Sequence, residues 1–264
     1  MTLWLLSYLV LGAATGYMAG LLGIGGGGIM VPILVMLFSW QGVADEHLVH
    51  LALGTSMAAI VPTALASASA HHRRRSVDWR VAVTMTPGVL AGAFLATFIA
   101  AYIPSKPLAI FFAGFMTVIA GYMIWGRTPR PDRMLPHPAG LIGVGAGIGG
   151  VSSLVAIGGG SLTVPFLLWC NQSAQRAIGT SAALGIPIAF AGALGYIVNG
   201  WHVSTELPTL GFVVWPAVLV MASVSFMTAP LGAKLAHTLP VRRLKRIFAL
   251  IMIALALKML HGVW

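Results

Sequence analysis

Two glycine-rich segments carry the residues of this chain that are best suited to binding chemistry. Residues 24–34 read Ile-Gly-Gly-Gly-Gly-Ile-Met-Val-Pro-Ile-Leu and residues 157–167 read Ile-Gly-Gly-Gly-Ser-Leu-Thr-Val-Pro-Phe-Leu, identical at seven of eleven positions. An apolar helix that begins at a glycine run presents backbone N–H groups without helical acceptors, at the positive end of its dipole. Glycine has no Cβ, so a ligand can approach closely. Each segment therefore predicts an anion-binding helix N-terminus. The backbone candidates are Gly25, Gly26, Gly27, Gly28, Gly158, Gly159 and Gly160, and Ser161 adds a hydroxyl.

A second duplicated block follows each glycine segment. Residues 54–56 and 179–181 both read Gly-Thr-Ser, and a proline comes six residues after each serine. Hydroxyl groups can donate hydrogen bonds to an oxyanion without adding a full charge, so we include both pairs in the predicted site. The alternative is that these hydroxyls make hydrogen bonds between helices. The candidates are Thr55, Ser56, Thr180 and Ser181.

The composition is that of a membrane protein. Of 264 residues, 58% are hydrophobic and only 8% are charged, with a mean hydropathy of +0.94, whereas soluble domains carry about 25% charged residues. No loop is long enough to hold a water-soluble core. The long apolar runs lie at 3–22, 48–70, 81–103, 107–125, 177–198, 207–233 and 247–260.

The charges are sorted by loop, which predicts an orientation. Basic residues cluster at 71–80, 127–133 and 242–246, whereas loops 40–47 and 199–206 carry acids and no Lys or Arg. By the positive-inside rule the three basic loops are cytoplasmic, the acidic loops lie outside, and both termini are expected outside. The net charge of +10 is therefore assigned to membrane orientation and not to nucleic-acid binding.

This orientation requires the glycine segments to be hairpins that return to the side they entered. We predict an all-α polytopic membrane protein with two inverted repeats, each a glycine-tipped broken-helix hairpin followed by three transmembrane helices. The repeats would be 1–126 and 138–264, joined by a cytoplasmic linker at 127–137. The alternative, in which each glycine segment is a kink within one crossing helix, would give parallel repeats. Glycines at four-residue spacing before each motif predict close helix packing: Gly12, Gly16 and Gly20, and Gly143 and Gly147.

Several kinds of chemistry have no support in the sequence. The five acids are all placed outside the centres of the apolar runs, so no intramembrane carboxylate is offered for ion coupling. The two G-x-G-x-x-G matches, at 23–28 and 145–150, lie between membrane helices and lack the strand and acid of a dinucleotide site. Hydrolase and metalloprotease motifs are absent from the sequence. We assign no catalytic residue, metal ligand or cofactor. The acids are Asp45, Glu46, Asp78, Asp132 and Glu206.

The doubled Gly-Gly-Gly-x-x-x-Val-Pro motif, each copy followed by Gly-Thr-Ser, resembles the TauE/SafE sulfite exporter family, also called the toluenesulfonate uptake permease family. The resemblance covers essentially the whole chain. It implies a carrier of the bacterial inner membrane for sulfur-containing anions such as sulfite or organosulfonates. Gly28 and Met30 stand where the second copy has Ser161 and Thr163, so the two half-sites are not equivalent.

The expected function is transport, by alternating access, of a small anion bound at the midplane between the two hairpins. Export is the expected direction, since an anion leaving a negative-inside cell gains about 2.3 kcal/mol per charge per 100 mV. An uncoupled channel or facilitator, or a carrier of other small organic anions, remains the alternative. The expected partners are the anionic substrate and the lipid bilayer.

Overall fold

The computed structural model describes residues 2–22, 26–125, 133–203, 205–235 and 241–263. These residues form ten helices and one small antiparallel sheet. Gly25 and most of the predicted linker lie outside the described residues. The helices are α1 (Thr2–Leu22), α2 (Gly27–Trp40), α3 (Asp45–Arg73), α4 (Trp79–Tyr102), α5 (Ser105–Trp125), α6 (Pro138–Leu154), α7 (Gly160–Trp169), α8 (Ala174–Asn199), α9 (Trp215–Leu235) and α10 (Val241–Val263). The strands are β1 (Thr209–Leu210) and β2 (Val213–Val214).

The predicted all-α polytopic fold is confirmed. Six described helices are long and apolar enough to cross a membrane, namely α1, α3, α4, α5, α8 and α9. Large apolar side chains are exposed on the outer helices, including Val83, Leu95 and Val118, as expected of surfaces that face lipid. The long helices α3 and α8 lie at the centre and are buried over most of their length.

Two local expectations were wrong. The apolar run at 207–233 was expected to be helical throughout, but it begins with the β1–β2 hairpin, and α9 starts only at Trp215. The cluster at 242–246 was expected in a loop but lies within α10. Apolar character alone does not separate a short buried strand from a helix start.

Both glycine segments are the turns of helical hairpins. In the first hairpin (α1 and α2), the Tyr8 hydroxyl near the start of α1 accepts a hydrogen bond of 2.9 Å from Gln41 Nε2, just after α2. In the second hairpin (α6 and α7), the Arg133 guanidinium, shortly before α6, lies 4.4 Å from the centre of the Trp169 ring at the end of α7. Each chain segment therefore returns to the end at which it entered, and the kinked single crossing is wrong.

The two halves of the chain exchange helices. The first arm of the first hairpin, α1, packs along α9, and the first arm of the second hairpin, α6, packs along α4. Gly12, Gly16 and Gly20 face Met221, Ser225 and Ala229 in that order, so α1 and α9 are parallel and the packing predicted for these glycines is confirmed.

The packing predicted for the second glycine series falls on different residues. An added Cβ would have no atom within 4 Å at Gly143 or Gly147, so the prediction for these two is wrong. Gly145 instead approaches the Met85 carbonyl oxygen, 2.7 Å from the position of an added Cβ, and Gly149 packs on Val89. Glycines spaced four residues apart lie on one face of a helix. Helix α6 has two such faces, and the spacing does not say which of them packs on the neighbouring helix.

The central helices run in opposite directions. Gly54 of α3 approaches Tyr196 of α8, whereas Ala64, ten residues further along α3, approaches Gly185. Residue numbers rise along α3 as they fall along α8, so these two helices, which follow equivalent hairpins, are antiparallel.

Candidate functional site

The two hairpin tips have the same backbone conformation. Gly26 precedes α2 with φ 76° and ψ −9°, and Gly159 precedes α7 with φ 78° and ψ −15°. This left-handed conformation costs an ordinary L-residue about 1–2 kcal/mol, which explains a glycine at each position. The sequence repeat is therefore also a repeat of local structure.

The tip geometry leaves backbone donors at the start of both short helices. The Gly26 carbonyl accepts from the N–H groups of Ile29 and Met30, both at 3.1 Å. The Gly159 carbonyl accepts in the same way from Leu162 at 3.1 Å and Thr163 at 2.8 Å. The N–H groups of the first two residues of each helix have no carbonyl to bond within the helix. They belong to Gly27 and Gly28 of α2 and to Gly160 and Ser161 of α7.

The tips meet beside the middle of the two central helices. Gly27 packs directly against the carbonyl oxygen of Ala156 in the second tip, and a Cβ on Gly27 would lie 3.2 Å from Ile60 Cδ1 of α3. The Gly158 carbonyl approaches Gly185 of α8, 3.0 Å from the position of an added Cβ. Tip residues from the two halves are therefore brought together, as the sequence predicted; Gly25 lies outside the described residues.

The duplicated threonines have a structural partner each. Thr55 Oγ1 accepts a hydrogen bond of 3.0 Å from the N–H of Val214, immediately before α9, and Thr180 Oγ1 accepts one of 2.9 Å from the N–H of Asp78, immediately before α4. Each threonine thus fixes the start of a helix in the other half. This contact explains the duplication without a ligand, and a role of Thr55 and Thr180 in binding stays a prediction.

The neighbouring serines are both buried, at positions that also pack tightly. Ser56 Oγ lies 3.7 Å from the Met30 sulfur of α2, so it faces the first hairpin. Ser181 is fully buried in α8. Their binding roles also remain predictions.

Sequence reasoning gave Thr163 no role in the site beyond noting its hydroxyl. In the structure Thr163 is fully buried, and the hydroxyls of Thr163 and Ser161 have no hydrogen-bond partner. A buried hydroxyl without a partner is unusual enough to require an explanation. The sequence signal that could have singled out Thr163 was the difference between the two copies, which have Met30 and Thr163 at equivalent positions.

A matched pair of contacts anchors the first arm of each hairpin. The Tyr196 hydroxyl of α8 donates to the Ser153 carbonyl at 3.1 Å, near the end of α6. His71 Nε2 of α3 lies 3.4 Å from the Gly20 carbonyl oxygen, near the end of α1. His71 and Tyr196 occupy equivalent positions after the two Gly-Thr-Ser blocks, so the sequence repeat extends to these contacts.

Among the described residues, the charged groups of α3, α4 and α8 lie at or next to the ends of these helices. Asp45 and Glu46 are in the first turn of α3, and Asp78 precedes α4, where its carboxylate accepts from the N–H of Val81. Arg176 is exposed in the first turn of α8. His50 is buried, with Nε2 3.0 Å from the Ala100 carbonyl oxygen. The described tip residues thus offer neutral donors: backbone N–H groups and hydroxyls.

The sequence profile of the sulfite exporter TauE/SafE family matches residues 8–259 of this chain. The chain belongs to the TauE/SafE family. A probable membrane transporter protein of Haemophilus influenzae is 35% identical over 260 residues, covering 97% of this chain and 98% of its own. Probable membrane transporter proteins of Methanocaldococcus jannaschii and of Xylella fastidiosa (strain Temecula1) are 27% and 30% identical, and each match covers 96% of this chain and 94% of the relative. No solved structure matches the chain significantly.

Membership of the TauE/SafE family and the six candidate spans establish a multi-pass membrane protein of a transporter family. The names of the relatives give the class of activity, membrane transport, and no substrate.

Proposed function

We propose that this TauE/SafE protein transports small sulfur-containing anions, such as sulfite or organosulfonates, and has no enzymatic activity. The anion would bind between the two hairpin tips and would accept hydrogen bonds from backbone N–H groups of the two short helices. The observation that carries this proposal is the contact between the tips: Gly27 of one lies against Ala156 of the other, and both glycine caps, Gly26 and Gly159, are left-handed. Helix N-termini of this kind favour anions over cations.

Two inverted repeats, 1–126 and 138–264, would provide the alternating access. The antiparallel course of α3 and α8 supports inversion, because parallel repeats would orient equivalent helices alike. The exchange of α1 and α6 between halves supports a pseudo-two-fold relation. Each half would then present the same site to opposite sides of the membrane.

The predicted orientation, with basic segments in the cytoplasm and both termini outside, also belongs to this proposal. Arg74 of the first basic segment donates a hydrogen bond of 3.4 Å to the carbonyl of Lys234, near the end of α9. The basic residues 242–246 follow the end of α9 closely in the sequence, so this contact supports placing two basic segments on one side. Cysteine accessibility in intact cells at positions 74 and 202 would test the assignment.

A carrier fits the tip contact better than a channel does. The backbones of the two tips touch at Gly27 and Ala156, which closes a direct path between them, and transport would require one tip to move relative to the other. Uncoupled export is expected, because the membrane potential alone drives an anion out of the cell. The cell inner membrane would be the site of this activity.

Binding is tested first by thermal stabilisation of the purified protein. A ligand that binds the native state raises its Tm in proportion to the logarithm of its concentration over Kd. We expect sulfite or an organosulfonate to raise the Tm more than phosphate, acetate or chloride at equal ionic strength. Equal shifts with all salts would contradict a specific anion site.

Transport is tested in proteoliposomes loaded with sulfite. An inside-negative potential, set with potassium and valinomycin, should accelerate efflux through the protein. Protein-free vesicles are the control, and efflux that ignores both the protein and the potential would contradict the proposal.

A further inference from the structure

Unpartnered hydroxyls are concentrated in one of the two hairpins. Among the described residues, four buried serine or threonine hydroxyls have no hydrogen-bond partner, and three of them, Ser152, Ser161 and Thr163, belong to the second hairpin. In the first hairpin, the buried Thr15 hydroxyl donates to the Leu11 carbonyl at 2.7 Å. The two hairpins that would form the site therefore differ in their unpartnered hydroxyls.

At Ser161 and Thr163 the usual acceptor carbonyl lies in the tip and already accepts backbone N–H groups. Threonines in helices commonly donate to the carbonyl four residues earlier, as Thr63, Thr86 and Thr117 do here. For Thr163 that carbonyl belongs to Gly159, which already accepts two N–H groups. For Ser161 it belongs to Ile157, which accepts from the N–H of Gly159 at 2.7 Å.

Ser161 and Thr163 also lie where a ligand would need donors. Ser161 is the second residue of α7, is 7% exposed, and adds its hydroxyl to the free N–H groups of Gly160 and Ser161. Thr163 Oγ1 lies 3.4 Å from the place of a Cβ on Gly159, directly behind the tip. A helix N-terminus and two buried hydroxyls with unused donors therefore coincide.

The equivalent positions of the first hairpin present sulfur and not oxygen. Met30 replaces Thr163, and its sulfur lies 3.7 Å from Ser56 Oγ. Gly28 replaces Ser161, and a Cβ there would lie 3.3 Å from the Met116 sulfur and 3.3 Å from Met252 Cε. Methionine side chains form a polarisable and adaptable apolar wall.

We propose that the substrate is bound asymmetrically, an inference that rests on the function proposed above. The second hairpin holds the oxygen end of the anion through the hydroxyls of Ser161 and Thr163 and the backbone N–H groups beside them. Met30 of the first hairpin, together with Met116 of α5 and Met252 of α10, contacts the other end. The ligand class is an oxyanion with its oxygens at one end and a lone pair or short apolar group at the other.

The test measures binding of sulfite and methanesulfonate to S161A, T163V and the double variant, by thermal shift and by equilibrium dialysis with labelled anion. Each hydroxyl donates to a charged ligand in this proposal, so each loss should weaken binding by about 10- to 100-fold. The ligand-free Tm of T163V should stay level or rise, because a buried unpartnered hydroxyl is removed. T117V, which removes a hydroxyl of α5 that donates to the Ala113 carbonyl, is the matched control and should bind both anions as the wild type does.

Three outcomes separate this inference from the function on which it rests. The asymmetric site is supported if the wild type binds the anions, S161A and T163V lose this binding, and the ligand-free Tm is preserved. Wild-type binding that the double variant retains overturns the asymmetric site and leaves the anion transporter standing. Failure of the wild type to bind either anion overturns both.

A substitution in the first hairpin tests the other end of the ligand. M30T places a hydroxyl at the position of the first hairpin that is equivalent to Thr163, and in an asymmetric site it should favour sulfate, which has oxygens all round, over methanesulfonate. The ratio of the two dissociation constants measures this directly. An unchanged ratio would overturn the assignment of Met30 to the apolar end.

Discussion

The tips of the two hairpins have the same backbone conformation but carry different side chains. Both have a left-handed glycine before the short helix, and both are anchored by a side chain of the following long helix, His71 in one half and Tyr196 in the other. They differ at the second and fourth residues of the short helix, which are glycine and methionine in the first hairpin and serine and threonine in the second. The repeat thus keeps the geometry of a helix N-terminus, whereas the side chains that we propose to distinguish one anion from another differ between its two copies.

The largest effect is expected from a substitution at the contact between the two tips. Even the methyl group of G27A would collide with the Ala156 carbonyl, which belongs to backbone and cannot rotate away. We expect a loss of about 2–3 kcal/mol of stability and the loss of anion binding, measured by the Tm and by thermal shift with sulfite. G114A on α5, where an added Cβ meets no atom within 4 Å, should keep anion binding and should not lower the Tm.

The two threonines offer a symmetric test of binding against structure. T55V and T180V each leave a backbone N–H, of Val214 or of Asp78, without its acceptor. We expect each variant to lose about 1–2 kcal/mol of stability, with T55V affected more because its hydrogen bond is fully buried. Tm values with and without sulfite measure the two effects. Lost affinity at an unchanged ligand-free Tm would instead make these hydroxyls ligand contacts.

The anchoring contacts allow a smaller change at one tip only. Y196F removes the donor to the Ser153 carbonyl while keeping the buried ring. We expect a destabilisation of about 1 kcal/mol and faster amide exchange at the end of α6 than in the wild type, with α1 unaffected. Y102F changes a tyrosine that is 88% exposed and serves as the control. Equal exchange in α6 of Y196F and wild type would contradict an anchoring role.

The smallest effect is expected at the glycines of α6. G143A fills open space on a helix and should stabilise the protein by up to about 1 kcal/mol, as judged by its Tm. G145A, two residues away, places a Cβ 2.7 Å from the Met85 carbonyl oxygen and should lower the Tm. If G143A instead lowered the Tm and G145A raised it, the packing face first predicted from the sequence would be right.

The repeat made the hairpins and the site region accessible from sequence. Seven identities in eleven residues marked both tips, and the charge pattern required each tip to return to its own side, which Tyr8 and Arg133 confirm through their contacts. The β1–β2 hairpin was missed because a run of apolar residues gives no period that distinguishes a two-residue strand from helix. The structural role of Thr55 and Thr180 was missed because their partners lie 159 and 102 residues away in the chain.

Sequence alone determined the membrane class, the helical fold, the pair of glycine-initiated short helices and the family. These follow from composition, the length of apolar runs and a repeat, all of which can be read from the order of residues without knowing which helices touch. Only the tertiary structure decided which glycines pack, which hydroxyls are already bonded, and that Ser161 and Thr163 are buried with donors to spare. Whether a hydrogen-bond donor is used depends on what the folded chain brings within about 3 Å of it, and that distance is set by helices far apart in sequence.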